Sequence, residues 1–177
     1  MRKQISAILM IMPVLLSAAL PVHAASQTAA QSVTIHVPTS LSLAASQRAI
    51  DLTFPENSPG VQTNSLTVSY GVRSNGMSQP DGSSAVSAQL DDVIPGVDFK
   101  AAVGVYQKRS GNTELNAFSG SEVVIGSAQT ALAAKHNSSG DGRLLDGTLP
   151  VTYRAQARQT LEAGTYSRQL FLTLTDV

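Results

Sequence analysis

The stretch LEAGTYSRQLFLTLTDV, residues 161–177, decides the reading of this chain. After a turn signal at Ala163-Gly164, Tyr166, Leu170, Leu172 and Leu174 share one phase of a two-residue period, the pattern of a half-buried β-strand. Such a strand belongs in a sheet. Standing at the carboxyl end of the sequence, it is expected to leave an edge that needs a partner from elsewhere.

Working backwards, the same period recurs. Leu149 to Ala157, Val123 to Ile125, Phe99 to Val105, Val86 to Leu90 and Leu66 to Val72 each read as a strand. Asn75-Gly76, Pro80-Asp81-Gly82 and Pro59-Gly60 supply turn chemistry between them. Ile50, Leu52 and Phe54, then Leu41 and Leu43, continue the alternation. Val33, Ile35 and Val37 alternate with Thr34 and His36 in a short strand that Pro38 stops. Only Gln129 to Lys135, rich in alanine, has helical character, so at most one short helix is expected. About eight short strands at this spacing predict an all-β sandwich.

At the amino end, Arg2 and Lys3 precede an apolar run from Ile5 to Leu20, followed by the small-residue site Val22-His23-Ala24. These are the parts of a secretory signal peptide over residues 1–24. Pro13 interrupts the run, which falls short of the ~20 residues that a spanning helix needs. Residues 25–38 then form an amino-terminal extension and residues 39–177 one sandwich domain. Loss of Arg2 and Lys3 turns an even balance of 12 basic and 12 acidic side chains slightly acidic. Nothing in that balance attracts nucleic acid. Cysteine is absent, which removes disulfides, thiol nucleophiles and cysteine metal sites together.

Candidates for chemistry are few. His36 alternates in a strand and His136 sits in a polar loop, neither with acidic residues at ligand spacing. Asp91-Asp92, and Asp141 with Asp146, are the clustered carboxylates. The loop Asn137 to Gly147 lacks the register of a calcium loop and reads as a turn. The chain has no tryptophan for a sugar platform. No serine sits in G-x-S-x-G, and Ser119-Gly120-Ser121 reads as a turn. The expectation is a protein that is not an enzyme and takes no metal or cofactor.

A chain with strands at both ends and no catalytic constellation points to strand addition, in which main-chain hydrogen bonds join one molecule's strand to another's sheet edge. Val33, Ile35 and Val37 then enter an apolar groove while Thr34 and His36 face out. Their burial is worth roughly 5–9 kcal/mol at ~1.5–3 kcal/mol each. The pattern equally suits an ordinary first strand paired within its own chain.

The order Val33, Thr34, Ile35, Val37, Pro38 at one end, and Leu161, Ala163, Gly164, Tyr166, Leu170, Leu172, Leu174, Thr175 at the other, resembles the alpha class of chaperone-usher fimbrial subunits, which includes colonisation-factor and cable pilins. The resemblance runs from about residue 32 to the end and is loose in the middle, where Leu52 to Phe54, Pro59-Gly60 and Leu66 to Asn75 look like the second and third strands. It implies an immunoglobulin-like sandwich that is incomplete and is completed by donor-strand exchange. Val33, Thr34, Ile35, His36 and Val37 are then the donor strand, and Leu170, Leu172 and Leu174 lie on a strand bordering the acceptor groove. The implied partners are neighbouring pilin subunits, a periplasmic chaperone, an outer-membrane usher and a host receptor. The implied route is export through the periplasm to a fimbrium on the cell surface, in support of adhesion. Two features depart from the family: Arg168 stands where a small residue is common, and the arm Ala25 to Gln31 is long. The other reading is a self-contained periplasmic β-sandwich that binds a carbohydrate or protein partner through the polar loops Gly76 to Ser84 and His136 to Gly147.

Overall fold

The computed structural model describes residues 31–137 and 142–176. The expected signal peptide, residues 25–30 of the extension, and Asp141 lie outside the described residues. The chain divides into two units, residues 1–36 and 37–177. In the first, the described residues 31–36 belong to no ladder, and Val33 and Ile35 are 80% and 79% exposed. The expectation of a regular strand at Val33 to Val37 is therefore not met within this chain.

The second unit is all-β. Among its described residues there are ten strands: β1 Leu41–Ala45, β2 Leu66–Ser74, β3 Ser84–Leu90, β4 Val97–Val103, β5 Gln107–Gly111, β6 Thr113–Ala117, β7 Val123–Val124, β8 Thr130–Asn137, β9 Leu145–Ala157 and β10 Leu170–Leu174. One sheet runs β1-β2-β9-β4-β7, with β5 also on β9; the other runs β10-β3-β8-β6. All pairings are antiparallel.

β9 is the axis of the larger sheet. Its 13 residues alternate strictly, with every odd position from Leu145 to Ala157 buried. One edge pairs with β2 from Leu145 to Tyr153; the other is shared by β5 and β4. Proline inside a central strand usually breaks a ladder. Here the Pro150 carbonyl accepts from Gly104 N–H at 2.8 Å, between the end of β4 and the start of β5. Carbonyl and nitrogen of one residue point to the same edge of a strand, so the missing donor faces the interruption.

Several elements differ from expectation. Gln129 to Lys135 is mostly strand β8, not helix, because Leu132, Ala133 and Lys135 are buried in the sandwich and tertiary packing overrides alanine's helix preference. The Lys135 ammonium donates to the Met77 and Gln79 carbonyls at 3.1 and 2.5 Å, which satisfies it in the interior. β5 and β6 were unforeseen; the chain passes from one sheet to the other between them, with Gly111 at φ +102°. An added Cβ there would meet the Leu144 carbonyl. His136 and Asp146 lie on β8 and β9 and not in a loop. β3 carries a bulge near Val86, which puts Ala85, Val86, Ser87 and Ala88 all inside.

Between the sheets, Val72, Met77, Val86, Leu115, Leu132 and Leu149 are fully buried. Removing the Leu149 side chain leaves a cavity in the central strand. Leu149→Ala is expected to cost about 2–5 kcal/mol, read as a lower urea midpoint at unchanged slope.

Tyr153 stacks on Phe99 with ring centroids 5.5 Å apart, and its hydroxyl shares a 2.9 Å hydrogen bond with Tyr70. Burial, then the bond to Tyr70, pushes the Tyr153 phenol up; burial also raises Tyr70, against a smaller opposing effect of that bond. Both groups keep their protons in the fold at pH values where an unfolded chain releases them. Stability is therefore fully present below about pH 10, the unfolded value, and falls as pH rises above it. Urea midpoints taken across that range should decline for the native protein and decline less for the Tyr70→Phe/Tyr153→Phe variant.

Candidate functional site

Among the described residues, β1 and β10 terminate their respective sheets, and each is paired along one edge only. An unpaired edge presents a row of N–H and C=O groups ready to template another strand. The space bordered by these two elements is a groove of about 1360 Å³.

One wall begins with Leu43 and Ala45 of β1 and continues through Gln47 to Phe54. In that continuation Ile50, Leu52 and Phe54 are half-buried while Asp51 and Thr53 are exposed. Side chains alternate as in a strand, as the sequence suggests, yet the segment joins no ladder. Residues 47–56 make no backbone-to-backbone hydrogen bond in the described structure; Thr53 N–H donates instead to Asn64 Oδ1 at 2.8 Å.

The opposite wall is Gly164 to Gln169 followed by Leu170, Phe171 and Leu172. The terminal strand is shorter than expected: Tyr166 precedes it, and the Tyr166 hydroxyl donates to the Glu162 carbonyl. Asp91 holds this approach in place, donating its N–H to the Gln169 carbonyl at 2.9 Å and accepting Gln169 N–H on Oδ1 at 3.0 Å. Arg168 ties it down further by donating from Nε to the Val93 carbonyl at 3.2 Å. Arg168 is thus a brace for the groove wall.

The floor is apolar, formed by Tyr70, Leu90, Phe99, Val97 and Leu161. It spans the main core and a smaller cluster of Val97, Ala155, Ala157 and Leu161. Of the expected groove strand, Leu170 and Leu172 line the groove, whereas Leu174 is buried in the core. The expected donor residues Val33, Thr34, Ile35, His36 and Val37 lie in no ladder, with Val37 75% exposed. Sequence reasoning missed the Gln47–Phe54 wall as part of the site, although its alternation was visible.

The chain is led to this point by a clamp. Asn75 donates from Nδ2 to the Pro38 carbonyl at 2.9 Å, accepts Ser40 N–H on Oδ1, and donates its own N–H to the Ser40 carbonyl. Thr39 leaves no room for a Cβ at Gly76. This is why an Asn-Gly pair stands at the end of β2.

Elsewhere the polar groups pair structurally. Arg73 and Arg109 flank Asp146, and Asp81 sits 3.5 Å from His136 Nδ1. A smaller pocket beside Ser119 and Ser121 contains the Arg154–Glu122 ion pair. Among the described residues, no three acidic or histidine side chains converge as metal ligands.

Comparison with known proteins finds no match among family models, curated proteins or solved structures.

A groove of this size with an apolar floor should bind the dye 8-anilinonaphthalene-1-sulfonate. Its fluorescence is expected to brighten with the native protein and to lose most of that gain in Leu43→Asn/Leu172→Asn, at unchanged circular dichroism. An undiminished signal in the variant would place the dye elsewhere.

Proposed function

We propose that this protein is a structural subunit of a surface fimbria, assembled by chaperone-usher donor-strand complementation, and that it supports adhesion. The observation that carries this reading is the groove bordered by β1 with its continuation on one side and β10 on the other. Among the described residues, each border ends a sheet, each offers backbone groups without a ladder partner, and the floor is apolar. These are the requirements for accepting one more strand.

In this reading the domain is an immunoglobulin-like sandwich in which a strand from another molecule completes the fold. The donor is Val33 to Val37 of a neighbouring subunit, whose Val33, Ile35 and Val37 would leave water for the groove floor. Before assembly, a periplasmic chaperone covers the apolar lining, which otherwise invites aggregation. An outer-membrane usher then directs subunit joining, and the finished fibre stands on the cell surface with a host receptor as its target. The signal peptide reading supplies the export this route requires.

Transplanting Ala25 to Pro38 behind Val177 through a flexible linker tests the proposal in a single chain. Filling the groove in cis should raise the urea midpoint markedly and turn residues 47–54 into protected backbone by hydrogen exchange. An unchanged or lower midpoint would mean that the sandwich gains nothing from another strand, and the fimbrial reading would fall.

A further inference from the structure

Gln47 lies two residues beyond β1 on the groove wall, and its amide nitrogen is buried without a hydrogen-bond partner. Leaving such a donor unsatisfied costs ~1–3 kcal/mol, and a buried orphan in a folded protein calls for an explanation. The same wall carries Leu43 and Ala45 before it and Ile50 and Leu52 after it. Among residues 41–54 the half-buried positions are Leu43, Gln47, Ile50, Leu52 and Phe54, and Gln47 is the one polar residue of that series.

The arm has a matching interruption. Counting back by twos from Val37, the inward phase of the donor segment reads Val37, Ile35, Val33 and then Gln31. Gln31 is the only polar side chain of that phase between residues 31 and 37. Ser32, Thr34 and His36 occupy the opposite face. When Val33, Ile35 and Val37 point into a groove, the Gln31 amide is carried in with them.

We infer, on the strength of the donor-strand reading, that Gln31 of one copy pairs with Gln47 of the next inside the groove, the Gln47 amide N–H donating to the Gln31 side-chain oxygen. The pair sets the register of the incoming strand. Val33, Ile35 and Val37 are so alike in shape that a two-residue slip would still offer the floor a branched aliphatic side chain at most positions. Apolar contacts alone therefore specify the register weakly. A slip separates the two amides, leaves the Gln47 donor unsatisfied and places the Gln31 amide against hydrocarbon. A buried polar pair enforces alignment in this way in coiled coils, where one asparagine selects among otherwise similar registers.

The test is a double-mutant cycle between the purified protein and a synthetic peptide spanning Ala25 to Pro38, read as dissociation rate. Gln47→Leu in the protein or Gln31→Leu in the peptide should each speed dissociation about tenfold. The two together should be no faster than either alone, because the second change removes nothing that remains. Gln47→Glu, which keeps the size and loses the donor, should weaken binding of the native peptide as Gln47→Leu does. Circular dichroism and unfolding midpoints of both protein variants confirm that they are folded. Tight peptide binding with additive single effects, or with no effect, would overturn the amide pairing and leave the groove reading intact. Failure of the native peptide to bind the native protein would instead remove the donor-strand reading, and the pairing with it.

Discussion

The constraint on which the structure depends is the two-residue period of β9. Thirteen residues keep one face inward without a slip, so that Leu145, Leu149, Val151, Tyr153, Ala155 and Ala157 build one side of the interior. A single-residue shift would turn all of them outward. β2 is held to β9 over nine residues, and β1 is held only to β2. The outer wall of the groove is thus two strands removed from the element that organises the sheet. Its position is set by that succession of pairings and by Leu43, Ile50 and Leu52, which pack against the core.

Alternation made most of the architecture legible in the sequence, and the exceptions have identifiable causes. β2, β4 and β9 alternate inward apolar residues with largely polar outward ones, and their strand character is visible without coordinates. β5, with Gln107, Lys108, Arg109 and Ser110 in succession, has no apolar phase because it lies at the rim with its side chains exposed. The alanines of Gln129 to Lys135 suit both helix and strand, and only burial on the sheet decides for β8. Tyr166 keeps the phase of Leu170 and Leu172, so the sequence overstates the length of β10, whereas Asp91 and Arg168 fix the preceding segment through contacts distant in the chain.

The groove shows the same division between local and distant information. Ile50, Leu52 and Phe54 announce an extended segment, and the structure agrees that they alternate between inside and outside. What the pattern does not contain is the identity of the neighbour. Side-chain period records which face is buried; it carries no record of whether the backbone on either edge is paired. A wall with a strand's side chains and without a strand's ladder is therefore invisible to periodicity and plain in coordinates. The same holds for Gln47, whose significance lies entirely in its enclosed amide nitrogen.

The Asn75 clamp has a mechanical meaning. Tension applied to the chain ahead of Pro38 enters the domain through the bonds that Asn75 makes to Pro38 and Ser40, at the end of β2 and beside the start of β1. From there the load divides between the five paired positions of β1 and the nine that join β2 to β9. Asparagine at this corner thus serves as an anchor bolt, passing a pull on the chain ahead of Pro38 to β2 and through its nine-residue ladder to β9.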